Sequence, residues 1–152
     1  LNSKPIELPE EYRQNLLKLA DYLSKFQETI ERRFDMSSFD RSRSPHSTQP
    51  VCGSVGCAIG HGPYAGIPKL DGESWIVYWQ RVFMSPEHFD CSDDGTDPWS
   101  WCFSEEWASI DNTAAGAAKR IYWLLDHGLP YNADDQLSGN APLCYVTEEH
   151  VE

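Results

Sequence analysis

One stretch constrains the fold more than any other. From Leu8 to Phe34, apolar residues fall at Tyr12, Leu16, Leu19, Leu23, Phe26, Ile30 and Phe34, in steps of three and four. That spacing lines one face of an α-helix. Leu17 and Ala20 widen the stripe. Pro9 suits a first helical turn, Glu10 and Glu11 complement the positive end of the helix dipole, and Arg32 and Arg33 suit its negative end. The spacing predicts a helix over 9–34 with a charged outer face. The rest of the chain must then supply a core for its inner face to lie on.

The aromatic second half supplies one. Trp75, Tyr78, Trp79, Val82 and Phe83 keep helical spacing within Glu73–Met84, with Ser74 placed to cap. Ser85-Pro86-Glu87 reads as the opening of a further turn, and Trp99, Phe103 and Trp107 recur every four residues. Asn112 or Thr113 caps a strong helix whose inner face is Ala114, Ala117, Ala118, Ile121, Leu124 and Leu125; His127-Gly128 and Pro130 stop it. Ser54 is placed to cap a short helix through Cys57 to His61, ended by Gly62-Pro63. Leu143 to Thr147 is the one strand candidate, and Ser37 to Pro50, rich in Ser, Arg and Pro, reads as a loop. A chain of 152 residues fits one domain with enough buried surface to fold without disulfides or metal. The expected fold is mainly α: a single compact helical domain of about five helices, with at most a short strand pair near the C-terminus. Its expected parts are a long N-terminal helix 9–34, a mobile loop 37–50, a helical core 52–130 and a C-terminal tail 131–152.

Charge narrows the partners. The net charge is −12 and the excess is uneven. Residues 1–33 and 34–50 are each balanced, and 51–89 carries −1. Asp90 to Asp111 carries −7 without a basic residue, and 112–152 carries −4. Such a surface repels nucleic-acid phosphates and anionic membranes, since both are bound through cations. It favours a basic protein partner. The six tryptophans, all between Trp75 and Trp123, lie in this acidic half and so read as core and interface anchors rather than as base-stacking platforms. No apolar run reaches membrane-spanning length and no signal-peptide pattern opens the chain, so a soluble, cytoplasmic protein is expected.

Three patterns bear on chemistry. Cys52, Cys57 and His61 are the candidate metal ligands: on a helix Cys57 and His61 share a face, and zinc accepts both residue types. The second ligand pair of the familiar zinc spacing is untidy, with only His46, Cys91, Cys102 or Cys144 to draw on. The same residues weakly suggest a thiol nucleophile at Cys52, but Val55 and Gly56 stand where the papain-like pattern needs its cysteine and an aromatic residue. Packed, reduced thiols are the simpler reading of all five cysteines. Asp90-Cys91-Ser92-Asp93-Asp94-Gly95 matches the first half of a calcium loop, but position 12 holds Trp101 where a bidentate Glu is needed. Glycines at 56, 60, 62 and 66 lack the Lys-Ser/Thr of a phosphate loop. No cofactor and no catalytic constellation are expected.

Phe34-Asp35-Met36, then Cys52-Gly53-Ser54, Cys57 and Gly60-His61-Gly62-Pro63, then Trp101 to Pro130, carry a resemblance. The chain resembles a loose family of uncharacterised bacterial and bacteriophage proteins with an FDM element, a CG[ST]xxCxxGH segment and a closing helix ending in DHG-P. The resemblance implies a cytoplasmic protein of phage or mobile-element origin. It assigns no activity and no catalytic residue.

The expected function is therefore a small acidic binding protein, leaning away from an enzyme, that presents an anionic surface to a basic protein, with nucleic-acid mimicry as one version. Asp90, Asp93, Asp94, Asp97, Glu105 and Glu106 are the expected contact residues, with Trp99 or Trp101 as an apolar anchor. A metal- or thiol-dependent protein built on Cys52, Cys57 and His61 is the alternative, and a structural, oligomer-forming protein is the third.

Overall fold

The computed structural model describes residues 8–27, 32–34, 54–56, 61–84, 97–130 and 132–145. Five α-helices dominate it: α1 (Glu10–Ser24), α2 (Trp75–Val82), α3 (Pro98–Phe103), α4 (Ala114–His127) and α5 (Ala133–Leu137). Two three-residue strands, β1 (Arg32–Phe34) and β2 (Ser54–Gly56), pair in parallel with Arg33 opposite Val55. The fold is mainly α, as the periodicity requires. No helix among the described residues is long and apolar enough to cross a membrane.

The inner stripe of α1 is where the spacing puts it: Leu16, Leu19, Ala20 and Leu23 are buried. The helix is shorter than 9–34. It ends at Ser24, and Lys25 and Phe26 donate their N–H groups to Tyr22 and Leu23 carbonyls at 3.2 Å in a closing turn. Arg32–Phe34 is a strand, not helix. Apolar spacing reports which side chains face inward, and it keeps that meaning past the helix end: Phe26 is packed on the core and Phe34 is buried. Backbone conformation at 32–34 follows another cause, the ladder to Ser54–Gly56.

Capping decides the other helices. The Ser74 side chain accepts from Val77 N–H, Asp97 from Ser100 N–H at 2.7 Å with Pro98 at the first helical position, and Thr113 from Gly116 N–H at 2.9 Å. Gly128, at φ +78°, ends α4 in a conformation that a side chain would strain. The aromatic spacing of four across Trp99, Phe103 and Trp107 is not one helix. Ser104 turns extended, and its hydroxyl accepts from Glu106 N–H to start a separate 3-10 turn, Glu105–Ser109.

Four further expectations are corrected. Ser54 lies in strand β2, opposite Arg32, rather than at the head of a helix. Gly62-Pro63 opens a 3-10 turn (Pro63–Ala65) rather than closing a helix, because Pro fits a first helical position. Within the expected tail 131–152, the described residues 132–145 pack on the core: α5 buries Ala133, Gln136 and Leu137, and Tyr145 is buried too. Leu143–Tyr145 contains no strand, so the strand pair sits at 32–34 and 54–56 instead of near the C-terminus. The loop 37–50, the turn at 85–87 and the acidic run 90–96 lie outside the described residues.

A single cluster of buried side chains joins the helices, and its most extensive contact sets α1 against α4. Ala114, Ala117 and Ala118 keep α4 thin on that side, while Ile121, Leu124 and Leu125 fill it. Asn15 Nδ2 donates to the Val82 carbonyl at 2.9 Å and ties α1 to the end of α2. Leu124→Ala should lower the free energy of unfolding by about 2–5 kcal/mol, read as a shift in the denaturant midpoint at unchanged slope.

Candidate functional site

Among the described residues of the C-terminal half, most carboxylates face outward. Glu105 and Glu106 sit side by side, exposed, in the first turn of the 3-10 segment. Neither forms an ion pair among the described residues. Asp126, Asp134 and Asp135 are exposed as well, and Asp97 and Asp111 are half-buried. Against these stand two basic residues between 97 and 145, Lys119 and Arg120, and Arg120 is fully buried. Folding thus withdraws one of the two cations from the surface.

The expected contact residues part company. Asp97 is half-buried, and one carboxylate oxygen is committed to the α3 cap. Trp99 is half-buried, 4.3 Å from the Trp79 ring, with its indole N–H buried and lacking an acceptor among the described residues. Trp101 is no anchor: it is fully buried, its indole N–H donating to the Arg120 carbonyl at 2.9 Å and its ring edge-on to Trp107. Burying the indole with its N–H satisfied fixes α3 to α4, and an exposed position would forfeit both gains. Asp90, Asp93 and Asp94, and with them the calcium reading, lie outside the described residues.

Of the metal candidates, Cys52 and Cys57 also lie outside the described residues. His61 is buried among the rings of Tyr22, Phe26, Phe34 and Tyr64, with Phe26 at 4.8 Å. No group of three metal-binding side chains occurs among the described residues. Cys102 is fully buried, and burial pushes its thiol up to about 12, which leaves it protonated and unreactive in the folded protein.

Two charge networks, each with one buried charged member, went unread in the sequence. In the first, Arg81 grips Glu73 with Nε at 2.6 Å and Nη2 at 2.9 Å, and Leu70 N–H donates to the same carboxylate at 2.9 Å. The hydrogen bond from Arg81 lowers the Glu73 pKa from the usual carboxylate range. The spacing of eight, from just before α2 to its last turn, lies outside the i,i+4 pairs that signal ion pairs on a helix.

In the second network, Asp111 accepts from Thr113 Oγ1 at 2.7 Å and from the Tyr145 hydroxyl at 3.0 Å, while Arg120 Nη1 donates to Tyr145 Oη at 2.7 Å. Asp111 Oδ2 stands 3.5 Å from Arg120 Nη1. The carboxylate also lies over Gly116, where an added Cβ would fall 2.1 Å from Oδ2. Only the missing side chain of Gly116 lets Asp111 reach inward. The one sequence signal was a glycine inside the first turn of a predicted helix, where it costs up to about 1 kcal/mol unless something needs the space.

Comparisons with protein-family models, with curated proteins and with solved structures give no match.

Two outcomes follow from the networks. Glu73 has a lowered folded-state pKa, so its contribution to stability is complete above the unfolded carboxylate pKa, about 4.3, and is lost as pH falls through the lower folded value. Glu73→Gln should therefore lose stability at pH 7 and show a shallower loss between about pH 5 and 3, measured by denaturation across pH. Gly116→Ala, which in an open helix gains about 1 kcal/mol, should here destabilise, because the methyl displaces Asp111 from Tyr145 and Arg120. Adding Asp111→Ala should recover part of that loss in the double variant.

Proposed function

We propose that this protein is a non-enzymatic binding module whose acidic C-terminal half docks on a basic protein surface. One observation carries the reading: between residues 97 and 145 seven carboxylates face or approach solvent, and the sole accessible cation is the half-buried Lys119. Exposed charge of one sign steers encounter with a partner of the other sign and screens out anionic ones. Glu105 and Glu106 are the proposed contact pair, with the half-buried Trp99 contributing apolar area, and Asp90, Asp93 and Asp94 extend the run in sequence. A partner that ordinarily holds nucleic acid fits this charge pattern, since closely set carboxylates imitate a phosphate backbone. The resemblance to phage and mobile-element proteins supports a setting for such binding in the cytoplasm of a bacterial host.

The test is capture from host lysate with wild-type protein and two charge-reversed variants of equal net charge: Glu105→Lys with Glu106→Lys, and Glu10→Lys with Glu11→Lys on α1. A partner should be retained at low salt and released at about 0.5 M, where charges are screened beyond a few ångströms. It should be lost with the first variant and kept with the second. Retention at high salt, or equal loss in both variants, would end the proposal.

A further inference from the structure

Arg120 is 0% exposed, an unusual position for a guanidinium. Its central carbon lies 4.3 Å from the centre of the Trp107 ring and 5.7 Å from that of Tyr145, so aromatic faces wall the group. Of its five N–H donors, the one engaged in a hydrogen bond meets a neutral phenol, Tyr145. Asp111 stands nearby at 3.5 Å from the same nitrogen, but its oxygens are hydrogen-bonded to Thr113 and Tyr145 instead. Nε and Nη2 are buried and have no acceptor among the described residues. These two atoms form the side-on edge of the guanidinium, whose parallel N–H vectors match a planar pair of oxygens.

A buried cation is retained only where its donors are met, because the cost of leaving them unmet exceeds that of an ordinary lost hydrogen bond. We propose that Arg120 anchors a site for a small carboxylate ligand, held bidentately on Nε and Nη2. Carboxylate fits better than phosphate on two grounds. Its two oxygens are coplanar with the fork between flat aromatic walls. It also brings a single negative charge, and Asp111 already supplies one beside the same guanidinium, so a dianion would meet more repulsion. The Tyr145 ring lies over the guanidinium, and ligand entry is by displacement of residues 141–145, which follow the exposed Ser138–Asn140 bend in which Gly139 sits at φ +80°. The site is independent of the acidic docking surface, which uses exposed groups.

The test uses the full chain, labelled for arginine Nε–H resonances and titrated with sodium acetate against sodium chloride at constant ionic strength. The resonance that shows an Overhauser contact to the Trp107 ring should shift saturably with acetate and not with chloride, and the midpoint of thermal unfolding should rise with acetate in parallel. Arg120→Lys keeps the charge but lacks the fork, and should lose both responses. Assignment through Trp107 keeps the experiment decisive if that variant fails to fold. A resonance that acetate leaves in place, as expected if water alone satisfies the edge, overturns the proposal. So does an equal rise in unfolding temperature with Arg120→Lys.

Discussion

The structure depends on how closely α4 lies against α1. Small residues on one side of α4 meet leucines on the facing side of α1, and the aliphatic residues of the last α4 turns close the seam. Close-packed interiors gain their dispersion energy only at contact distance, so a thin helix face is a requirement and not an economy. From that seam the other helices take their places. α2 is tied to α1 through Asn15, and α3 is fixed on α4 through the Trp101 indole.

Burial of Arg120 has effects both inside and outside. Inside, it draws Asp111, Thr113 and Tyr145 into one network that joins the start of α4 to the last described turn. Outside, it removes a cation from a region that had few. The anionic character of the surface is thus partly a product of folding, beyond what composition alone gives. The Glu73–Arg81 pair does the same on a smaller scale, joining a buried carboxylate to the last turn of α2, so that neither charge adds much to the external field.

The sequence showed the helices where periodicity and caps agreed. Ser74 and Thr113 with Gly128 mark ends that local chemistry dictates, and the structure follows them; the Asp97 cap, inside a stretch that reads as an acidic loop, was missed. It was misleading where an inward-facing residue lies outside a helix, as at Phe34 in β1: a strand ladder is a long-range pairing that no local period encodes. The same limit hid the candidate site. Trp101 and Trp99 are two residues apart on one short helix and look equivalent in sequence, yet one is core and the other half-exposed. Arg120 sits beside Lys119 in an apparently ordinary surface dipeptide. Its withdrawal inward is decided by Trp107 and Tyr145, which approach from 13 residues before it and 25 after.

The buried Cys102 thiol has a practical consequence. A sulfhydryl sealed in the interior and held protonated can meet an alkylating reagent only after the surrounding helices part. Its labelling rate is therefore an internal clock for large-scale opening of the molecule. With Cys144 half-buried to report the faster, local openings, the two thiols among the described residues are chronometers running at different speeds.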